Sequence, residues 1–293
     1  MSHYRKIEKV FQGPKAHMVG DGFLVSQYFP VGMKDMQRLS PFLLLDYHAP
    51  YHYEPSQIAR GVGAHPHRGF ETVTIAYEGK IEHYDNKGNH GIIGPGDVQW
   101  MTAASGVMHK EHHETEFSKV GGVLHMIQLW VNLPKDKKMV EPRYQTLLKE
   151  NMGFINLEDN QGEISIIAGE VNGVKGPAET FTDMNIYNVK LQKDSKILLE
   201  EPSQYNTGIL VLKGEIKVNQ DRPCTEKDFI LFHNVEGNIL VETVSSGAEF
   251  IVLSGAPINE PIVFHGPFVM NTMDEIYQAY DDFENNKFGS QRF

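Results

Sequence analysis

Short apolar runs rich in Val, Ile, Thr, Tyr and Phe alternate with polar positions along this chain, and Gly, Pro, Asn or Asp interrupts them every 8 to 14 residues. A two-residue side-chain period bounded by turn formers predicts antiparallel β structure. Strands are expected at Phe70 to Tyr77, His125 to Val131, Ile209 to Leu212, Ile239 to Val244 and Glu249 to Leu253. Helical spacing is confined to the C-terminus, where Thr272-Met-Asp-Glu275 has the form of a capping box and Ile276, Ala279, Tyr280 and Phe283 follow on one face. That pattern predicts a terminal helix packed on a barrel. Alternation lapses and charge rises from Pro134-Lys-Asp-Lys-Lys138 to Glu141-Pro142, as in a surface connection. The boundary is placed near residue 145, giving a first domain over 1–145 and a second, with the helix, over 146–293.

A length of 293 residues suits two domains. The stretch Thr72-Val-Thr-Ile-Ala-Tyr-Glu-Gly79 resembles Thr207-Gly-Ile-Leu-Val-Leu-Lys-Gly214, and an acidic turn follows each, at Asp97 and Asp228. On that alignment His65 and His67 correspond to Glu200 and Pro202, and Glu71 to Asn206, so a second barrel would lack the histidines of the first.

Composition narrows the function classes. Hydrophobic residues make up 40% and charged residues 22%, as in a globular protein. The net charge of −11 and the lack of a long Lys/Arg run argue against direct nucleic-acid binding. No apolar stretch approaches the roughly 20 residues of a membrane span. A single cysteine, Cys224, excludes an internal disulfide and suits a reducing compartment, so a cytoplasmic or nuclear location is expected.

Ten of the 14 histidines lie between His48 and His125. In an extended strand, residues i and i+2 share a face, so His65 and His67 can direct both imidazoles to one point. Glu71, Val73, Ile75 and Tyr77 continue that parity, predicting an inward face that runs from polar to apolar. The pair His109 and Glu111 has the same spacing and would add an imidazole and a carboxylate from a neighbouring strand. Such donors suit Fe(II), Mn(II), Ni(II), Cu(II) or Zn(II), with positions left for substrate or dioxygen. Glu71, His112, His113 and His125 remain alternative or supporting candidates. Gly94-Pro95-Gly96-Asp97 reads as a turn, and Trp100 and Trp130 as core or pocket walls.

The blocks His65-Pro-His67-Arg-Gly-Phe-Glu71-Thr, Pro95-Gly96-Asp97-Val-Gln-Trp100-Met-Thr-Ala and Gln128-Leu-Trp-Val-Asn-Leu133 resemble the signatures of the pirin family. Met139-Val-Glu-Pro-Arg-Tyr144 and Gly255-Ala-Pro-Ile-Asn-Glu-Pro-Ile-Val-Phe-His-Gly-Pro-Phe268 extend the resemblance over both halves. It implies an all-β bicupin, with two jelly-roll barrels facing each other and one metal ion, usually iron, in the first. It also implies that His65, His67, His109 and Glu111 are the ligands. Cupins at large use a Glu at the position of Glu71; the closer family places Glu71 outside the ligand set.

The resemblance further implies a metal-dependent dioxygenase of the quercetinase type. Glu111 would act as base toward a flavonol or similar aromatic substrate, and O2 would open the central ring with release of carbon monoxide. The alternative is a non-enzymatic, redox-responsive iron protein that binds a transcription factor or metabolic enzyme. Neither reading involves direct contact with nucleic acid or a membrane.

Overall fold

The computed structural model describes residues 4–29 and 37–289, and they are mostly β. The first half supplies β1 (Ile7–Gln12), β2 (His17–Val19), β3 (Phe23–Phe29), β4 (Phe42–Tyr53), β5 (Gly61–His67) and β6 (Phe70–Glu78). It continues with β7 (Ile81–Asp85), β8 (His90–Ile93), β9 (Val98–Thr102), β10 (Val107–His113), helix α1 (Thr115–Val120), β11 (Gly122–Asn132) and β12 (Arg143–Leu147). The C-terminal helix is α2 (Met273–Glu284).

The chain forms two units, each a cupin domain with one seven-stranded and one four-stranded antiparallel sheet. In the N-terminal unit the large sheet runs β12-β9-β6-β11-β4-β3-β2 and the small one β5-β10-β7-β8. Alternating residues of both sheets meet in a core that includes Phe23, Val25, Ala76, Ile81, Ile93, Leu124 and Met126. In the C-terminal unit the large sheet contains, in spatial order, Ile7–Gln12, Asp228–Phe232, Asn206–Lys213, Ala248–Gly255, Met184–Leu191, Gly162–Ala168 and Gly153–Asn156. Its core holds Cys224, whose thiol burial pushes up to about 11. That thiol is un-ionised at neutral pH and has no nucleophilic character there.

The division between the units differs from a cut near residue 145. Asn151–Pro257 form the body of the C-terminal unit, but β1 belongs to it as well, because β1 pairs antiparallel with Asp228–Phe232. Ile258–Phe293, with α2, belong to the N-terminal unit. Composition carries no sign of this, since strand pairing and helix docking depend on register and shape. The capping box itself forms: Thr272 Oγ1 accepts from Glu275 N, and the Glu275 carboxylate accepts from Thr272 N. Ile276 and Ala279 then pack with Met108, Phe268 and Met270 of the N-terminal unit. Arg68, the residue after His67, donates to Asp282 of α2 at 2.8 Å and to Ser105 O at 2.7 Å, which ties the helix to the turn beneath the histidines. No helix among the described residues is long and apolar enough to cross a membrane.

The stretch read as a surface connection also departs from expectation at Lys138, which is buried. Its ammonium donates to Gly69 O, Asn132 Oδ1 and Val269 O at 2.7, 2.6 and 3.1 Å. Three acceptors offset the loss of water that would otherwise keep a lysine at the surface.

Two buried histidines make this unit sensitive to acid. Burial lowers His48 and His125 from 6.5 to about 4. As neutral rings they contact the hydroxyls of Tyr53 and Tyr47 at 3.0 and 3.1 Å. The unfolded chain takes up these protons first as pH falls, so the stabilisation is complete above pH 6.5 and is lost toward pH 4. Each ring is expected to cost about 1 kcal/mol of stability at pH ~5.5 relative to pH ~8. Denaturant unfolding of a His125→Gln variant should show a shallower fall in stability between those pH values than the parent chain. Parallel curves would mean that His125 does not titrate in this range.

Candidate metal centre

The histidines sit on the small sheet. His65 of β5 lies directly opposite His109 of β10, His67 opposite Val107, and Glu111 opposite His83 of β7. Between His109 and Glu111 the β5–β10 register shifts, with Gly63 and Ala64 facing Lys110 alone. Such a bulge re-aims neighbouring side chains. The His65 ring is held there by a 2.8 Å contact from Nδ1 to Gly63 O.

His65, His67 and His109 each bring a ligand nitrogen to within 4.8 Å of the other two, close enough to hold one metal ion. Their ring centroids are 4.3 to 4.9 Å apart. His67 Nδ1 faces Pro267 O at 3.3 Å, so His65 and His67 both keep Nδ1 toward a carbonyl and leave Nε2 for the centre. Glu111 Oε1 lies 3.8 Å from His109 Nδ1 and 3.2 Å from His83 Nδ1.

The fit of a cation follows from what these atoms lack. His109, His83 and Glu111 are 1 to 3% exposed, yet both nitrogens of each ring and Glu111 Oε1 have no aligned hydrogen-bond partner. An unsatisfied buried polar atom costs about 1 to 3 kcal/mol, so a cluster of them marks a place where a ligand completes the structure. The protonation states agree. Burial, followed by the neighbouring imidazoles, holds His67 and His109 far below the usual histidine range, so both rings are neutral. Burial alone would raise Glu111, but contact with His83, the nearby His65 and a bond from Gln128 take it below the usual carboxylate range. Neutral imidazoles beside a carboxylate are the donor forms that a divalent cation requires.

The candidates left open by the sequence are separated by backbone geometry. Glu71 does not share the face of His65 and His67, because the strand is broken between them. Gly69 adopts φ +89°, where a Cβ would stand 1.9 Å from Val269 O. The left-handed turn resets the alternation, so Phe70 meets His67 edge-on at 5.0 Å and Trp130 at 4.2 Å, while Glu71 points to the opposite face. There it accepts from Thr102 Oγ1 at 2.6 Å, and burial raises its carboxyl to about 7. His113 packs beneath Tyr53 and reaches Gly22 O at 2.7 Å. His112 is half-buried against Tyr84, and His125 contacts Tyr47 and Tyr77.

His83 was not anticipated. Its place inside the unit is implied by the alternation of Ile81-Glu-His-Tyr-Asp85, in which Ile81, His83 and Asp85 are buried. Its position opposite Glu111 emerges only from the β7–β10 register.

The centre opens onto a cavity of about 330 Å³. Val19, Phe23, Val25, Val62, Met126 and Trp130 provide its apolar walls, and His65, His67, Glu111, Asp46 and Gln128 its polar groups. Trp100 is fully buried in the core.

Comparison with known proteins agrees with this architecture. The family model described as Pirin matches residues 22–131, and that described as Pirin C-terminal cupin domain matches 186–289. A Pseudomonas aeruginosa protein provisionally named a quercetin 2,3-dioxygenase is 44% identical over 97% of this chain and 98% of its own length. A crystal structure of quercetin 2,3-dioxygenase from Acinetobacter baumannii superposes with a TM-score of 0.94 at 43% identity, covering 99% of this chain and 100% of that one. A bacterial pirin from Escherichia coli, solved in complex with nickel(II), shares the fold at a TM-score of 0.63 and 20% identity, over 85% of this chain and 99% of its own. With both halves matched in order and the histidine centre confined to the first, the chain belongs to the pirin family.

Proposed function

We propose that His65, His67, His109 and Glu111 hold one divalent transition-metal ion, most simply Fe(II), and that the chain is a dioxygenase acting on a flavonol such as quercetin or a similar hydroxylated aromatic. The observation that carries this reading is the placement of the ligand cluster in the wall of an apolar cavity, with the Glu111 carboxylate among its lining groups. Likeness over the full length to proteins named quercetin 2,3-dioxygenase supports the choice of reaction.

A bound divalent ion would supply Lewis-acid polarisation of the substrate oxygen and access to dioxygen chemistry. The remaining tasks fall to side chains. Glu111 accepts the proton of the flavonol 3-hydroxyl, and its low proton affinity is set by His83 and Gln128. Trp130, Phe23 and Met126 hold the ring system and exclude water. The overall change consumes one O2, opens the central ring and releases one carbon as carbon monoxide.

Metal analysis of freshly purified protein should find about one transition-metal ion per chain, and a His65→Ala, His67→Ala variant should retain almost none. An equal metal content in the variant would remove His65 and His67 from the site.

Quercetin mixed with metal-loaded protein in air should lose its long-wavelength absorbance, and Glu111→Gln should slow the decay by about 10²-fold or more. Decay no faster than in buffer would exclude the activity.

His83→Ala should weaken metal retention against a competing chelator by about 10- to 100-fold, as loss of a group that orients a ligand does. Unchanged retention would reduce His83 to a packing residue.

A further inference from the structure

A line of polar side chains crosses the large sheet of the N-terminal unit at one level. Gln27 of β3 pairs with Asp46 of β4, Asp46 with Gln128 of β11, Gln128 with Thr74 of β6, and Thr74 with Gln99 of β9. Directly opposed residues in antiparallel strands point to the same face. Asp46 and Gln128 both line the cavity beside the metal centre, so the line faces that cavity. The neighbouring levels on this face are more apolar: Met126 lies between Ala76 and His48 on one side, and Trp130 between Thr72 and Leu44 on the other.

The cupin fold does not require polarity here. Thr74 corresponds to Ile209 in the repeat that aligns Gly79 with Gly214. The matching line in the C-terminal unit reads Ile166, Tyr187, Val252, Ile209, Ile230, following the same succession of pairings. All five belong to its hydrophobic core. The unit without histidines fills this level with packing side chains, of which only Tyr187 carries a polar atom, a hydroxyl donating to Glu201, whereas the unit with them fills it with hydrogen-bonding groups. Some of those groups are unmet: Gln27 bonds the Asp46 carboxylate, but Asp46 Oδ1 and Gln99 Oε1 are buried without a partner. A carboxylate oxygen in that state calls for a donor from whatever occupies the cavity.

We propose that Asp46 is a specificity-determining residue that accepts a hydrogen bond from a ring hydroxyl of the bound substrate, at a point separate from the group that meets the metal. The inference rests on reading this cavity as the substrate pocket, and it narrows the substrate class. A cavity of about 330 Å³ lies at the lower end of ligand pockets and suits one molecule of a few rings. Asp46 lines it away from the ligand cluster, where a substrate carboxylate would meet like charge and a neutral phenol meets an acceptor. Burial raises Asp46 to about 6, which leaves it ionised and accepting at neutral pH. Trp130 in the wall provides an optical probe of occupancy.

The test is equilibrium binding to protein loaded with zinc(II), which is redox-inert, in the absence of oxygen, followed by quenching of Trp130 fluorescence. Quercetin is compared with 3-hydroxyflavone, which keeps the 3-hydroxyl and lacks the other ring hydroxyls. In the parent chain quercetin is expected to bind more tightly. Asp46→Leu, which imitates the C-terminal unit, should weaken quercetin by about tenfold or more and 3-hydroxyflavone by less than about twofold, while Asp46→Asn should fall between. Zinc stoichiometry and the thermal midpoint report whether each variant is folded; if Asp46→Leu is not, the same ratio is read from Asp46→Asn alone. Equal losses for both flavonols, or no loss for either, overturn the assignment of Asp46 and leave the pocket reading intact. Failure of both flavonols to bind the parent chain overturns the pocket reading and the assignment with it.

Discussion

Imidazoles packed against one another cannot all satisfy their ring nitrogens within the cluster, and this constraint organises the N-terminal unit. A neutral ring offers one donor and one acceptor. His65 and His67 direct Nδ1 toward carbonyls, while His109 has no aligned partner for either nitrogen and His83 meets only the Glu111 carboxylate, at 3.2 Å. A sheet that buries such a cluster is destabilised by several unmet groups unless a cation accepts the lone pairs. The deformations around the centre make sense in that light. A bulge lies beside His65, the left-handed Gly69 turns the chain two residues after His67, and Arg68 anchors that turn to α2.

The main features of this arrangement were legible in the chain because they depend on local spacing. The alternation within β6, β11 and the three C-terminal strands, the i, i+2 pairs at 65/67 and 109/111, and the capping box of α2 all concern residues within a turn or a strand of each other. The sheet pleat and the helix turn convert such spacing directly into shared faces. What escaped was set by contacts between distant segments. A period of two carried from His65 and His67 through to Glu71 fails because the positive φ of Gly69 resets the phase. The glycine was visible, but the carbonyl of Val269, which makes the turn compulsory, lies 200 residues away. Lys138 looked like a solvated linker because its three acceptors come from three separate parts of the chain. His83 and Asp46 depend on register across strands, and no single stretch of sequence records register.

The termini follow the same logic. β1 lies within the first half of the chain but finds a free sheet edge on Asp228–Phe232, and α2 finds an apolar face around Met108 and Phe268. Each terminal segment covers a surface built by the opposite half of the sequence. β1 thereby becomes the outer strand of the C-terminal sheet.

The two units also offer an internal control on which features serve chemistry. They share sheet sizes, strand succession and an acidic turn, yet differ at the residues pointing into the core. One unit has histidines on the small sheet and a polar line on the large sheet. The other has a mostly apolar line on the large sheet, with the hydroxyl of Tyr187 donating to Glu201, and no histidine at the matching positions. Packing and that one satisfied hydroxyl explain the line, since well-filled cores are more stable than cores with unmet polar atoms. In the polar version Gln27 bonds Asp46 and Gln128 bonds Glu111, but Asp46 Oδ1 and Gln99 Oε1 stay unmet, and polar groups line both walls of one cavity. Two independent departures from good packing that face each other across the same space are best explained by an occupant touching both. A metal ion alone would account for the histidine wall, whereas the unmet Asp46 Oδ1 on the facing wall is left for a second occupant with a hydrogen-bond donor of its own.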